Sequence, residues 1–200
     1  VRVYDGGGIG GIVRGRIGIY TGCPLPAGLP LDGEWQFAPG DNPAWKEPAG
    51  DPTAFHAIPV PSSWEQAGYP NLDGYGWYRK TFRVEQPFTE PTLVLLLGKI
   101  DDYDEVFLNG VSIGHSGSIN DPVQHGEDRT YSLQRAYNFP ASLLKEHNVL
   151  AVRVCDTHGD GGIYEGPIGI LTPAQFTQYW DARRERFSDI FFKLFQSEDD

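Results

Sequence analysis

The sequence predicts an all-β protein, a sandwich of two sheets followed by one amphipathic helix. Three observations predict it. Short runs of alternating or continuous apolar residues recur between turn residues, and Gly 25 and Pro 16 are many for a helical chain of 200 residues. Hydrophobic residues at 40% and aromatic residues at 13% suffice for one sizeable core. Helical spacing of the apolar positions is clear in the tail, from Pro173 onward.

The elements follow in order. Residues 22–33 read as a linker, with Pro24, Pro26, Gly28, Pro30 and Gly33. Residues 34–37 form a short strand, and residues 39–52 a loop with Trp45 turned inward. Residues 55–60 alternate, and Pro59 and Pro61 mark an edge strand. Residues 77–84 alternate, with Trp77, Arg79, Thr81 and Arg83 on one side. Residues 92–97 are continuously apolar, as in a central strand buried on both faces. Asn109-Gly110 between Val106-Phe107-Leu108 and Val111-Ser112-Ile113 supplies the two positive φ values of a tight hairpin. Residues 115–130 are a long polar loop and 131–139 a strand. Residues 140–145 make one helical turn opened by Pro140. Residues 148–155 and 163–171 are two strong strands. From Pro173 to Phe195, Phe176, Tyr179, Trp180, Phe187, Ile190, Phe191 and Leu194 share one helical face. That face needs a partner: the sandwich, another subunit or a further part of a longer chain.

The net charge of −11 argues against nucleic acid and anionic lipid as partners. There is no apolar run of membrane-spanning length. Cys23 and Cys155 are too few for a disulfide framework or a zinc site. They either pair or are two small buried side chains. The chain has no methionine, so it reads as a fragment, a processed form or a sequence with its methionines replaced.

Residues 1–21 repeat residues 152–172 at a constant offset of 151, with 13 identities in 21 pairs, including Gly10/Gly161, Gly11/Gly162 and Ile12/Ile163. Residues 1–21 therefore read as the tail of a preceding, related module, with 34–172 as the complete module and 173–200 as helix and acidic end. The alternative is an extra strand of a single domain.

Several motifs occur in a telling order: Pro59-Val60-Pro61-Ser62-Ser63-Trp64-Glu65, Gly76-Trp77-Tyr78-Arg79-Lys80-Thr81-Phe82, Leu97-Gly98-Lys99-Ile100-Asp101-Asp102, Val106-Phe107-Leu108-Asn109-Gly110, and Asn148-Val149-Leu150-Ala151-Val152-Arg153-Val154 with Gly161-Gly162-Ile163-Tyr164. In these the chain resembles the N-terminal sugar-binding domain of family 2 glycoside hydrolases, a galactose-binding-like jelly roll. It is also similar to the jelly roll of sialate O-acetylesterases. The resemblance implies a jelly-roll β-sandwich and an extracytoplasmic location. Catalytic carboxylates in that family sit on a separate barrel of about 250 residues, for which this chain has no room. The resemblance also implies that the loop before Gly-Ile-Tyr, here with Asp156, His158 and Asp160, reaches a sugar beside Tyr164. Where the family often has Arg, this sequence has Glu165.

Sugars are held by aromatic faces and a few polar groups. Trp64, Tyr69 and Tyr75 with Glu65, Asn71 and Asp73 lie in one Gly/Pro-rich stretch and are candidates for that role. Trp77 is expected in the core, and Trp64 fits either place. Asp101, Asp102, Asp104 and Glu105 could be read as a glycosidase carboxylate pair or a structural calcium site. The favoured reading is a turn, since adjacent strand residues face opposite ways. Ser116 and Ser118 near His115 and His125 lack a nucleophile elbow. Gly6-Gly7-Gly8 and Gly10-Gly11 lack the Lys and helix of a phosphate loop.

Three roles fit these readings. The first is a non-catalytic carbohydrate-binding module of a larger protein, partnered by a carbohydrate and by neighbouring domains. The second is an extracytoplasmic sensor or scaffold whose C-terminal helix leads to a membrane or signalling region and supports self-association. The third is an accessory domain that completes a hydrolase site. No cofactor is expected.

Overall fold

The short apolar runs pair into two antiparallel sheets packed face to face. The computed structural model describes residues 28–50, 53–117 and 129–195. Its strands are β1 (Leu29–Pro30), β2 (Gly33–Pro39), β3 (His56–Val60), β4 (Gly74–Arg83), β5 (Thr92–Ile100), β6 (Tyr103–Leu108), β7 (Val111–Ser116), β8 (Gln134–Pro140), β9 (His147–Asp156) and β10 (Ile163–Leu171), followed by α1 (Pro173–Phe195). One sheet has the order β1-β10-β5-β8 and the other β3-β2-β4-β9-β6-β7. This is the expected β-sandwich of jelly-roll type with a C-terminal helix.

The two-residue period of the strands decides what lies between the sheets. Trp35 and Phe37 of β2, Tyr78 of β4, Leu93, Leu95 and Leu97 of β5 and Val152 and Val154 of β9 face inward and form the main core. Trp77, one residue from Tyr78, packs on the opposite face of its sheet with Ala38, Phe55 and Ala151. It is 1% exposed, in agreement with the core reading. Trp45 packs against that cluster, its ring 5.3 Å from Phe55.

Leu93 to Leu97 of β5 are continuously apolar, and both faces of the strand are covered there. Leu96, on the face away from the main core, packs with Leu171 of β10 and Tyr179 of α1, with Phe176 and Trp180 around them. The partner of the first turns of the helix is thus the sandwich itself. Thr172 caps the helix: Gln175 N–H donates to Thr172 Oγ1 at 3.3 Å, and Thr172 N–H donates to Gln175 Oε1 at 2.9 Å. The hairpin forms as its sequence predicts, with Asn109 at φ 53 and Gly110 at φ 84.

Three expectations are corrected. Residues 29–33 are not linker: Leu29 pairs with Ile170, Leu31 is buried at 1%, and Trp35 Nε1–H donates to Leu31 O at 2.7 Å. β4 begins at Gly74, because Gly74, Tyr75 and Gly76 pair with Asp156, Cys155 and Val154. Residues 129–132 form a 3-10 turn, so the strand expected from Tyr131 starts at Gln134. The repeat copy at residues 1–21, Cys23, Ser118 and His125 lie outside the described residues. Cys155 is buried and free.

One ion pair joins the sheets through the core. Arg135 of β8, 1% exposed, donates from Nε to Asp104 Oδ1 of β6 at 2.7 Å, and Asp104 is 0% exposed. The guanidinium also donates to the carbonyls of Thr130, Leu133 and Asp102. Tyr137 O–H donates to the other Asp104 oxygen at 2.5 Å. Every polar group of the pair is thereby used, which is the condition for a buried charge to be tolerated.

Candidate functional site

Three connections meet at the end of the sandwich where β3 and β9 finish and β10 begins. They are residues 61–67, the turn between β5 and β6, and the loop between β9 and β10. Backbone bonds join them: Ser62 N–H to Ile163 O at 2.8 Å, Trp64 N–H to Gly161 O at 2.9 Å, and Asp101 N–H to Gly162 O at 2.9 Å. The Gly161-Gly162 pair makes the junction possible. A Cβ at Gly161 would run into the Trp64 ring, and Gly162 has φ +105. Asp102, at φ 51, turns the chain between β5 and β6 and ties it to the β9–β10 loop by accepting from Thr157 N–H at 2.8 Å and Thr157 Oγ1–H at 2.5 Å. The turn reading of the acidic run therefore holds for Asp102. Asp104 points into the core, and Glu105 faces outward to Arg153 Nη1 at 3.0 Å.

Above this junction is a cleft of about 490 Å³ lined by Ser63, Gln66, Asp101, Asp102, Tyr131, His158, Asp160 and Tyr164. Tyr164 O–H donates to Tyr131 O at 2.6 Å, which ties β10 to the 3-10 turn. Carboxylates dominate the site. Burial, with the charges of Asp102 and Asp156 nearby, pushes Asp101 up to about 7. Burial also pushes Asp156 up to about 6; the neighbouring charges of Asp102, Asp73 and Glu65 add to this, while His158 N–H opposes it.

The predicted residues divide clearly. His158, Asp160 and Tyr164 line the cleft. Asp156 lies beneath it, 1% exposed, with Oδ1 accepting from His158 N–H at 3.0 Å. Glu65 has both carboxylate oxygens buried. Trp64 is withdrawn as a stacking surface: it is 0% exposed and donates from Nε1 to Tyr78 Oη at 2.7 Å. Tyr69 is likewise drawn inward, its ring 5.0 Å from Phe37. Tyr75 lies within β4 under the Arg153 guanidinium, 4.6 Å from the ring centre. Asn71 and Asp73 are exposed and do not line the cleft. Glu165 is engaged by Lys99 Nζ at 2.7 Å. Ser63, Gln66, Asp101, Asp102 and Tyr131 complete the wall; of these the sequence points only to Asp101 and Asp102, and favours a turn for them. Only the long-range junction brings them together, so no local signal marks them as one wall.

No family model matches the sequence, and neither does any curated protein. Solved structures do match. A β-glucuronidase of Bacteroides uniformis superposes with a TM-score of 0.55 at 22% identity, over 68% of this chain and 16% of that one. A β-glycosidase of Bacteroides vulgatus gives 0.54 at 19% identity, over 72% and 20%. A glycosyl hydrolase family 2 member of Bacteroides cellulosilyticus gives 0.53 at 18% identity, over 68% and 19%. The chain therefore has the fold of one domain of these hydrolases and spans a fifth or less of their length.

Proposed function

We propose that this chain is a non-catalytic carbohydrate-binding module of a larger protein and that the cleft bounded by Tyr131 and Tyr164 is its ligand site. The observation that carries this reading is the composition of the cleft. Two tyrosines, a serine, a glutamine, a histidine and three aspartates converge on a loop-built concavity at one end of a rigid sandwich. Aromatic bodies with hydroxyl-fixing polar groups are the chemistry of sugar recognition. The fold likeness to one domain of family 2 hydrolases supports a domain role rather than a whole enzyme.

The repeat supports a modular arrangement. Positions identical in both copies include Val152, Val154, Ile163, Ile168 and Ile170, all buried at 1% or less, and the Gly161-Gly162 pair of the junction. Positions that differ include the cleft residues His158, Asp160 and Tyr164, replaced by Gly7, Ile9 and Val13. What is kept is what the fold needs at residues 152–172, and this pattern supports reading the repeat as one of related modules.

A second reading is favoured by α1. It leaves β10 directly, packs on the sandwich through Phe176, Tyr179 and Trp180, and runs to Phe195. A helix of 23 residues that continues the last strand suits a sensor or scaffold connection, or self-association. No helix among the described residues is long and apolar enough to cross a membrane. A glycan array probed with the chain and with Tyr131→Ala tests the first reading. Tyr131 is 48% exposed, so its loss leaves the core intact. A glycan hit that weakens about tenfold in the variant supports the site, in line with the value of an aromatic contact. A folded chain that binds nothing on the array favours the scaffold.

A further inference from the structure

We propose that the junction beneath the cleft is a pH-sensitive latch: the loop 157–162 is held against the β5–β6 turn while Asp101 and Asp156 carry protons, and it lifts when they ionise, taking His158 and Asp160 out of the cleft wall. The effect on binding rests on the ligand-site reading above; the latch itself does not. The bonds that hold the loop run from Trp64 N–H to Gly161 O, from Asp101 N–H to Gly162 O and from Thr157 to Asp102. Its tip, His158 to Asp160, is exposed, and Gly159 and Gly162 are at φ 101 and φ 105. A short, exposed, glycine-rich loop held along one seam can open locally while the sheets stay folded.

Carboxyl groups from every element at this seam act on one another. Asp102, Asp73 and Glu65 act on Asp156 at the root of the loop, and Asp102 and Asp156 act on Asp101 in the turn. Against them stand the His158 N–H at Asp156 and the charge of Arg135 of β8 at Asp101. That guanidinium is already bonded to Asp104 and to three carbonyls. The other titratable groups of the cleft are Asp160, the His158 ring, Tyr131 and Tyr164. The geometry of Asp156 is the independent observation. Asp156 is 1% exposed, and its Oδ1 accepts from His158 N–H at 3.0 Å. Its Oδ2 is buried with no hydrogen-bond partner among the described residues, as are both Glu65 oxygens. A buried oxygen without a donor is tolerated on a neutral carboxyl and costly on a carboxylate.

The sign of the response follows. Burial and the neighbouring charges push Asp156 from 3.8 up to about 6 and Asp101 from 3.8 up to about 7. A lifted loop brings both groups into water and back toward the ordinary value. Closure is therefore fully favoured below pH 3.8 and weakens as the pH rises through about 6 and then about 7. The latch is shut in mild acid and released in mild alkali.

The test is amide hydrogen exchange by NMR on the chain without ligand at pH 5 and pH 8, expressed as protection factors so that the intrinsic pH dependence is removed. The reporters are the seam amides of Trp64, Asp101 and Thr157, and the references are Leu95 and Val152 of the core strands. The expected result is that the reporters lose about tenfold or more in protection from pH 5 to pH 8 and become less protected than the references. Asp156→Asn and Asp101→Asn should each keep more protection at pH 8 than the native chain, and His158→Gln should leave the loss as it is. Asp101 is partly exposed, so its variant keeps the test decisive where Asp156→Asn fails to fold. Unchanged protection in the native chain, or reporters that match Leu95 and Val152 at both pH values, overturns the latch. So does a loss that only His158→Gln abolishes. If the latch opens yet an array-selected glycan binds equally at both pH values, the ligand-site reading falls and the latch stands.

Discussion

Replacing Asp101 by Asn reports the electrostatics of the cleft as a pH-dependent change in stability. Burial and the neighbouring carboxylates raise the folded-state pKa of Asp101 from 3.8 to about 7. The folded chain then holds this proton more tightly than the unfolded chain. The resulting stabilisation is fully present below pH 3.8 and is lost as the pH rises through about 7. At about 1.36 kcal/mol per pH unit the full linkage would be about 4 kcal/mol. The side chain is partly open to water, and screening reduces this to about 1–2 kcal/mol. Asn cannot ionise and can still accept the Asp102 N–H bond. Asp101→Asn should therefore gain about 1–2 kcal/mol relative to the native chain between pH 4.5 and pH 8. Urea unfolding of both proteins at the two pH values measures it. A difference that is the same at both pH values, or that shifts in favour of the native chain at pH 8, would refute the clustered-carboxylate account.

Other changes should act just as specifically. Arg135→Ala leaves the buried Asp104 carboxyl without its cation between the sheets, so stability should fall by about 3–5 kcal/mol and the melting temperature on the order of 10 °C; calorimetry checks this. Gly161→Ala drives a methyl group into the Trp64 ring. It should cost about 1–3 kcal/mol in urea unfolding. Tyr179→Ala removes the 3%-exposed ring that seats α1 on Leu96 and Leu171. Limited proteolysis should then cut within α1 at enzyme concentrations about tenfold lower, while β-sheet circular dichroism is retained.

Local patterns made much of the fold legible. The β10 and α1 bounds follow from an apolar run ended by Thr172-Pro173, and the hairpin from Asn109-Gly110. The continuous apolar run of β5 foretold burial on both faces, and the helix supplies the second cover. Composition misled where turn residues take part in strands: Gly74 and Gly76 look like loop but pair along β9. The site was less legible. Aromatic residues in a Gly/Pro-rich stretch suggested a binding surface, yet Trp64 and Tyr69 turn inward because the segment is pinned to Gly161 and Ile163. Asp101 and Asp102 were readable as a turn. Their place beside His158 and Asp160 depends on a contact across 55 residues of sequence, which no local spacing records.

The most direct test of the central claim is an NMR titration of the isotopically labelled chain with a glycan selected from an array, following backbone amides. The account predicts shifts concentrated at Ser63, Gln66, Asp101, His158, Asp160 and Tyr164. Shifts confined to the groove at the far end of β4 and β9, around Phe82, Arg83, His147 and Asn148, would contradict it.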